Sequence, residues 1–532
     1  MSLKRDSPPH DFASSGEGGG GDGSASPTKK GKLVGNDAYA YAAANYCQNF
    51  LEAILADDNF HSQDRDGIHA VMKNIFNPYS PHKSDVVIRD DDHQFWEACI
   101  GELEDPKKRN RVAVVGTPGI GKTTTSYFAM RMLLKMRKKV VYLYRTEDKS
   151  NPYIVFTPSE SDSGTISIEL FPESTPATTI TALQDKDTYY IVDPGQTKTN
   201  CTPEGAVMAK VIIVASPDKR HWGGSAFEKK EPGRDPGMFR YFPPWSLNQL
   251  KAGASRIDSM SNLPAREIEK LFSLFGGIPR LVYDPEAKDN NLQSLERKVN
   301  ELELSEMKKL LAGRGSLHAG FGQDQPKGGI MLFQPKSNFS QVDVEAASDK
   351  VVESIRGAFM DAVWDDLATY GSPIAWQLLE SFISEALHGT KDYVTRPCVG
   401  KSDLIYSNEG TTTIGGVKFK CQTSDCTTAV RYCDDMVLYY SSNRFHPLYD
   451  MIFKCNNIYF AFQVTTGKKH KATKADIAKV VGALGIRSGG PELRLYYAVH
   501  EAVFDEFVTE PTSPFCPPCM SVHHMKISRR AS

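Results

Sequence analysis

Residues 111–134, RVAVVGTPGIGKTTTSYFAMRMLL, combine an apolar run, a glycine-rich turn and a segment with helical periodicity. The turn fits G-x-x-x-x-G-K-[ST], a pattern in which backbone N–H groups surround phosphate oxygens. The N-terminus of the following helix faces the same anion. The stretch therefore predicts a nucleoside triphosphate site. The expected phosphate-binding residues, called the phosphate loop below, are Gly116, Thr117, Pro118, Gly119, Ile120, Gly121, Lys122 and Thr123.

Charge and hydroxyl chemistry assign roles around this loop. Lys122 carries a compact positive charge for the outer phosphates, and the Thr123 hydroxyl suits Mg²⁺. A second magnesium-holding acid is expected at the end of a buried strand, and Asp193 ends the apolar run TYYIVD. An ordinary strand-end acid is the alternative interpretation of Asp193. Pro194 follows it, where many efficient ATPases have a glutamate that orients the attacking water. We therefore expect slow hydrolysis or a different base.

Two more positions are candidates for the same site, and each has a structural alternative. Ser216 follows the apolar run KVIIVA and either faces the γ-phosphate or belongs to a Ser-Pro turn. Arg280 ends GGIPR (276–280) and either reaches the phosphates or belongs to an ordinary helix stop. The sequence leaves both alternatives open.

The overall composition excludes several classes of protein. Of 532 residues, 40% are hydrophobic and 24% are charged, and the formal net charge is -2, so any polyanion site must be a local patch. We find no apolar run of about 18 residues and therefore predict no membrane span. The N-terminus lacks the apolar core of a secretory signal peptide. Ten cysteines in a chain of this length do not form a disulfide scaffold, which favours the cytosol or the nucleus.

Periodicity divides the chain into segments. Strands alternating with helices predict a mostly parallel, doubly covered α/β sheet, followed by a second domain of the α+β class. That second domain is expected to open with helices at 343–366 and 372–388 and to contain a hairpin at 451–467. The expected segments are a disordered tail (1–35), a helical N-terminal segment (36–83), an NTPase domain (84–285), a helical linker with a Gly-rich loop (286–330), the α+β domain (331–510) and a tail (511–532).

The second candidate site lies in the predicted hairpin. Asp450 begins one strand and Gln463 lies near the end of the next, so both side chains can meet on one face. This is the geometry of the metal site in PD-(D/E)xK nucleases: an acid, a spacer, an acid or Gln, one residue, then Lys. Thr465 stands where the lysine is usual. A surface hairpin flanked by lysines is the alternative interpretation.

Neighbouring residues can complete such a site. Lys468 or Lys469 can replace the missing lysine, and Glu380 or Glu385 can supply another carboxylate. Hard oxygen ligands with open positions suit Mg²⁺. The run GKKHKATK (467–474) either grips a phosphate backbone or is a solvated loop. Zinc binding is a further alternative, although the residue spacings match no standard zinc knuckle. The residues concerned are Cys421, Cys426, Cys433, Cys516, Cys519, His523 and His524.

Taken in order, these motifs resemble the NTPase module of the Crinkler and retrotransposon-hot-spot (RHS) proteins. The matching blocks are GTPGIGKT, TYYIVDPG, VIIVASPD, YFPPWSLNQL and GGIPRLVYDPE, and the Pro-Pro-Trp-Ser block at 243–246 is the least generic of them. The C-terminal half is similar too, through LHAGF, VEAASDKVVESI, PLYDMIF, FAFQVTTGKKH and LRLYYAVHEAVFDEF. The resemblance covers roughly residues 85–510.

The resemblance implies a P-loop NTPase of the AAA/STAND type joined to a restriction-endonuclease-like domain. In that family the second acid position is often Gln followed by Thr, as in Gln463-Val464-Thr465. It also implies ATP (or another NTP) and Mg²⁺ as cofactors, DNA as a partner, and a nuclear location in the protein's own cell or a host cell. The chain lacks the Leu-Phe-Leu-Ala-Lys type translocation segment of Crinklers, and a cytoplasmic location or secretion into a host without a standard signal peptide are the alternatives.

Three functions compete at this point. The first is an NTP-regulated, Mg²⁺-dependent DNA endonuclease. The second is a non-catalytic, nucleotide-switched protein that binds DNA or chromatin, which Thr465 and Pro194 favour. The third is a metabolic P-loop kinase with an unrelated partner domain. The basic clusters Lys4-Arg5 and Lys29-Lys30 with Lys32 are either a nuclear import signal or part of a solvated tail, and a homo-oligomer is left open.

Overall fold

The computed structural model describes most of the chain between residues 38 and 528. Features outside its ranges are the tail at 1–35 with its basic clusters, most of the Gly-rich loop, Ser216, Lys468, and the cysteines Cys426, Cys433, Cys516 and Cys519. The described ranges are 38–57, 60–79, 82–105, 110–145, 151–159, 165–194, 207–215, 238–257, 260, 262–311, 329–367, 372–387, 391–397, 410–414, 419–423, 437–441, 449–465, 469–470, 473–487, 490–509 and 520–528.

Helices and strands alternate through the first half of the described chain, and strands dominate its last third. The α-helices are α1 (Ala38–Leu55), α2 (Asp90–Glu104), α3 (Lys122–Lys135), α4 (Leu247–Ala254), α5 (Ala265–Phe275), α6 (Pro279–Val282), α7 (Lys288–Asn300), α8 (Leu304–Leu311), α9 (Asp349–Leu367), α10 (Pro373–Ala386) and α11 (Lys474–Leu484). The strands are β1 (Phe60–Arg65), β2 (Ile68–Phe76), β3 (Lys83–Arg89), β4 (Arg111–Val115), β5 (Val140–Tyr144), β6 (Tyr153–Pro158), β7 (Ile166–Phe171), β8 (Tyr189–Asp193), β9 (Lys210–Ala215), β10 (Met238–Tyr241), β11 (Met331–Pro335), β12 (Val342–Ala346), β13 (Lys391–Pro397), β14 (Gly410–Ile414), β15 (Phe419–Thr423), β16 (Val437–Ser441), β17 (Met451–Cys455), β18 (Ile458–Thr465), β19 (Lys469–His470), β20 (Glu492–His500), β21 (Val508–Thr509) and β22 (Met520–Ile527).

A seven-stranded sheet forms the centre of the first half, with the order β10-β4-β9-β8-β5-β6-β7. The first five strands are parallel, and β6 and β7 extend the edge as an antiparallel pair. Strands β4 and β8 are buried along their whole length, which explains their continuous apolar sequences. The prediction of a mixed α/β fold with a mostly parallel sheet is confirmed.

The order of the strands produces a topological switch point beside the phosphate loop. After β4 the chain crosses to β5 on one side of the sheet, whereas after β9 the next strand of the sheet, β10, lies on the other side of β4. In open α/β sheets, ligands bind at such a switch point, outside the carboxyl ends of the two neighbouring strands. For this sheet the rule points to the carboxyl ends of β4 and β9.

An eight-stranded sheet forms the centre of the second half, with the order β14-β13-β22-β20-β18-β17-β16-β15. Strands β17 and β18 form the predicted hairpin, with Cys455 opposite Ile458. Both turn residues have positive φ, 47° at Asn456 and 64° at Asn457, as a two-residue hairpin turn of type I′ requires. The hairpin prediction is confirmed for the described part of 451–467.

The apolar cores of the two halves are continuous. One buried cluster extends from α1 and the first sheet through the β11–β12 hairpin, α9 and α10 to one face of the second sheet. Its members there include Phe453 and Phe462. The opposite face of the second sheet packs against α11 through Ile477 and Val480. Helix α10 contacts both β12 of the hairpin and β18 of the second sheet.

The N-terminal helical prediction is wrong after residue 55. Helix α1 ends at Leu55, and residues 60–76 form the antiparallel pair β1 and β2, which β3 extends. Asp66 and Gly67 turn between them with φ values of 61° and 73°. Asp-Gly is a strong two-residue hairpin signal, and it outweighed the Ala- and aromatic-rich composition on which the helix was based.

Two further segments differ from expectation. Residues 342–346 are strand β12, and the helix begins only at Asp349, because alternate residues Val344 and Ala346 are buried against the rest of the hairpin. The predicted tail at 511–532 contains β22, which pairs with β13 and β20. Its buried residues include Met520, Val522 and Met525, so a strand of the sheet was missed in a segment judged by its Pro-rich start.

Candidate nucleotide site and acid cluster

Glycines let the phosphate loop fit between β4 and α3. Gly119 and Gly121 have φ values of 86° and 101°, a region that side chains rarely adopt. A Cβ atom on Gly119 would lie 3.1 Å from the side chains of both Ile278 and Arg280. The loop is therefore packed against the GGIPR segment, and a larger residue at 119 would displace it.

The Lys122 amine is buried inside its own loop. The side chain is 8% exposed, and Nζ donates to the carbonyl oxygens of Gly116 (2.7 Å) and Thr117 (3.0 Å). Burial lowers the pKa of Lys122 to about 7; the carboxylate of Asp193 opposes this shift and the guanidinium of Arg280 adds to it. Phosphate oxygens placed here would raise this pKa again.

Asp193 and Arg280, far apart in sequence, are brought close to this lysine. Asp193 ends β8 and is 2% exposed. Arg280 is exposed, and its backbone N–H donates to the carbonyl of Gly119 at 3.3 Å. Because both charges act on the pKa of Lys122, an acid, a lysine and an arginine converge at the carboxyl edge of the sheet. Thr123 is half-buried at the start of α3.

Trp245 braces the loop, a role that the sequence did not reveal. Its indole N–H donates to the carbonyl of Ile120 at 3.0 Å, and its backbone N–H donates to the carbonyl of Gly277 at 3.1 Å. The Arg89 guanidinium lies over its ring at 4.8 Å. The Pro-Pro-Trp-Ser block, which the sequence singled out only through a resemblance, therefore connects the loop to the GGIPR segment.

Arg89 is a second residue that the sequence did not identify. It is fully buried, and it donates to the carbonyls of Pro243 (2.9 Å) and Pro244 (2.7 Å) and to the carboxylate of Asp92. Burial raises the pKa of Asp92, and the positive charge of Arg89 opposes that rise. A strand-end arginine in VVIR carries no pattern that distinguishes it from a solvated one.

The acid cluster, defined as Asp450, Gln463 and Glu380, comes from three separate elements. Asp450 precedes β17, and its Oδ2 accepts from the side-chain Nε2 of Gln463 (2.7 Å) and from the backbone N–H of Val464 (2.6 Å). Glu380 lies on α10. Burial and the charge of Glu380 raise the pKa of Asp450 well above its usual range, so the two carboxyl groups are near neighbours.

The acid cluster contains the kinds of oxygen ligand that a hard cation prefers. Gln463 is 7% exposed, and its Oε1 has no hydrogen-bond partner among the described residues. This orientation of the amide follows from the bond that Nε2 makes to Asp450. Two carboxylates and an amide oxygen fit Mg²⁺, which uses one or two carboxylates and keeps several waters. Within the described ranges no group of three or more His, Cys, Asp or Glu side chains forms a metal site.

The other residues proposed for this site lie in different places. Glu385 is exposed and pairs with Arg356 at 3.8 Å, so it does not join the cluster. Thr465 is buried two residues beyond Gln463, and therefore on the same face of β18. Lys468 is outside the described residues, and the backbone of Lys469 pairs with β21.

Comparison with known proteins adds no family to these observations. No family model matches the chain, and no curated protein matches it either. In the ranges that the structure describes, every helix is too short or too polar to cross a lipid bilayer. The two sites must therefore be interpreted from their own chemistry.

Proposed function

We propose that this protein is a P-loop NTPase of the Crinkler and RHS type whose nucleotide controls a Mg²⁺-dependent DNA endonuclease site. ATP, or another NTP, with Mg²⁺ would bind at the phosphate loop, and the acid cluster would cut DNA. The observation that carries the proposal is the convergence of Lys122, Asp193 and Arg280 at a topological switch point. Ser216, the next residue after β9 in the sequence, lies outside the described residues.

At the nucleotide site each group has a separate task. The backbone N–H groups of the loop and the N-terminus of α3 attract the phosphates. Lys122 exchanges two carbonyl oxygens for phosphate oxygens, and Arg280 adds a positive charge from the exposed side. Thr123 and Asp193 would hold the magnesium ion. Since Pro194 follows Asp193, turnover is expected to be slow, which suits a switch.

At the acid cluster the protein would supply oxygen ligands for Mg²⁺, and Asp450 would release its proton when the ion binds. Mg²⁺, when bound, would activate a water molecule and stabilise charge on the phosphate. Asp450 must lose its proton to hold the ion, which its raised pKa opposes. Gln463 fixes Asp450 through Nε2 and offers Oε1 as a further ligand.

Direct binding tests the nucleotide half of the proposal. Lys122→Ala should weaken ATP binding at least tenfold in a calorimetric titration, because it removes the only loop side chain that carries a charge. Lys135→Ala is the matched control, since Lys135 ends the same helix and pairs with the exposed Asp57. Unchanged ATP affinity in Lys122→Ala would refute nucleotide binding at the loop.

Plasmid cleavage tests the nuclease half. Wild-type protein should cut DNA with Mg²⁺, and both Asp450→Asn and Glu380→Gln should abolish cutting. Glu385→Gln, one turn further along α10 and exposed, should cut as well as wild type. Cutting by Asp450→Asn at the wild-type rate would show that the nuclease lies elsewhere.

A non-catalytic DNA- or chromatin-binding function is the second candidate. It is favoured by Thr465 at the usual lysine position and by the raised pKa of Asp450, which retains a proton where a metal ligand must lose it. In that case wild type and Asp450→Asn would retain DNA equally and neither would cut. A nuclear location, in the protein's own cell or a host, belongs to either proposal.

A further inference from the structure

The hydroxyl of Thr117 connects the phosphate loop to a hairpin that precedes the acid cluster. Its Oγ1 donates to the carbonyl of Met331 (3.2 Å) and accepts from the backbone N–H of Phe333 (3.2 Å). Both bonds are buried. The β11 strand is therefore hydrogen-bonded to the second residue of the phosphate loop, over a separation of more than 200 residues.

The β11–β12 hairpin is held firmly between the two halves. The carbonyl of Phe339, in its turn, accepts from the backbone N–H of Tyr241 at the end of β10 (2.8 Å). At its other end a Cβ atom on Gly276 would lie only 1.7 Å from the carbonyl oxygen of Ala347. A displacement of the hairpin at one strand is therefore passed to the other, because close packing leaves no space to absorb it.

Gln377 continues the connection into α10. Its Oε1 accepts from the backbone N–H of Ala346 (2.9 Å), and its Nε2 donates to the carbonyl of the same residue (3.5 Å). Ala346 is the register partner of Met331, so the two attachments lie directly across the hairpin from each other. Glu380 follows Gln377 by about one helical turn and belongs to the acid cluster.

Nucleotide binding acts on the first member of this series. Lys122 Nζ is bonded to the carbonyl of Thr117, the residue whose hydroxyl holds Met331 and Phe333. Phosphate oxygens compete for that amine, which frees the Thr117 carbonyl to reorient. A buried hydroxyl that makes two hydrogen bonds cannot follow such a movement without moving its partners or losing both bonds.

We propose that the Thr117–β11–β12–Gln377 connection regulates the acid cluster by shifting Glu380 relative to Asp450 when nucleotide binds. The proposal rests on the proposed function, since it requires a nucleotide at the loop. It assigns Gln377 as a positioning residue that contacts neither nucleotide nor DNA. Coupling of this kind is reciprocal, so DNA bound with metal at the acid cluster changes nucleotide affinity by the same factor.

Hydrogen exchange on the full chain tests the connection without relying on cleavage. Adding a non-hydrolysable ATP analogue with Mg²⁺ should change exchange at the phosphate loop, in β11 and in α10 of the wild type. Gln377→Leu should keep the change at the loop and in β11 but lose it in α10, whereas Thr117→Val should lose it in β11 and α10. Glu385→Gln, on the exposed face of α10, should behave as wild type.

A binding measurement gives an independent result. The wild-type affinity for the analogue should change by at least about fivefold when DNA is added, and in Gln377→Leu by less than about twofold. Thermal unfolding of each variant, with Gln377→Met as a second substitution, excludes simple loss of fold. Analogue binding that changes α10 equally in wild type and Gln377→Leu would overturn the connection while leaving the proposed function intact. No analogue binding at all would overturn both.

Discussion

The phosphate loop buries a basic side chain, whereas the acid cluster buries acidic ones, and burial shifts their pKa values in opposite directions. The loop surrounds a lysine with its own carbonyls, and burial lowers the pKa of Lys122 to about 7. The acid cluster places two carboxyl groups together, and burial raises the pKa of Asp450. Each site is therefore shifted toward its neutral form and regains charge when a ligand of opposite charge binds. Nucleotide binding should take up a proton, whereas metal binding should release one.

The largest effect is expected from the buried ion pair that supports the loop. Asp92→Ala leaves the Arg89 guanidinium buried without its carboxylate, which should lower the free energy of unfolding by about 3–5 kcal/mol. Asp57→Ala breaks pairs with Arg131 and Lys135 on an exposed carboxylate and should lower the free energy of unfolding far less, because solvent screens these pairs. Urea denaturation of both variants checks the difference, and equal midpoints would show that burial does not distinguish the two pairs.

The pH dependence of nucleotide affinity should report the protonation of Lys122 in the loop and not that of the acid cluster. Above pH 7 the free protein carries a neutral Lys122 that must be protonated on binding, so ATP affinity should fall by up to about tenfold per pH unit toward pH 9. Calorimetry in two buffers of different ionisation enthalpy should detect the proton taken up. Lys122→Arg keeps its charge throughout and should abolish the dependence. A flat profile in the wild type would contradict the shifted pKa.

Protonation of the acid cluster should be linked to the stability of the fold and to Mg²⁺ binding, with the opposite direction of proton transfer. Since the folded-state pKa of Asp450 is raised, the stability it contributes is complete below about pH 4 and is lost as the pH rises through the folded-state pKa. Asp450→Asn should therefore be more stable than the wild type at pH 8 without magnesium, with a higher midpoint of thermal unfolding. Mg²⁺ should stabilise the wild type only. Thermal unfolding from pH 5 to 9 measures both effects, and Glu385→Gln, whose carboxylate is exposed, should match wild type.

The smallest effect concerns the brace at Trp245. Trp245→Phe removes the indole donor to the Ile120 carbonyl, which should weaken nucleotide binding by about 1 kcal/mol, or roughly fivefold. DNA binding by the acid cluster should be unaffected. Trp376→Phe, at a side chain that is 45% exposed, is the control and should change neither. An unchanged nucleotide affinity in Trp245→Phe would show that the loop holds its shape without this contact.

Local pattern was enough for the features that lie in consecutive residues. The eight-residue phosphate loop, the buried strands on either side and the hairpin at 451–465 could be located because each has its own periodicity or turn chemistry. The same method failed where composition and turn signals disagreed. The Asp66-Gly67 hairpin was missed inside an apparently helical segment, and β22 was missed behind a Pro-rich start.

Tertiary structure alone decided which distant residues meet. The sequence by itself determined a glycine-rich turn with Lys122 and an acid at Asp193, and it named Glu380, with Glu385 as a further choice, as a carboxylate for the site of Asp450. The fold placed Glu380 beside Asp450 and left Glu385 in solvent, and it connected Thr117 to α10 through Met331 and Gln377. The physical reason is that backbone conformation is fixed by neighbours in sequence, whereas burial and charge are fixed by the elements that pack together.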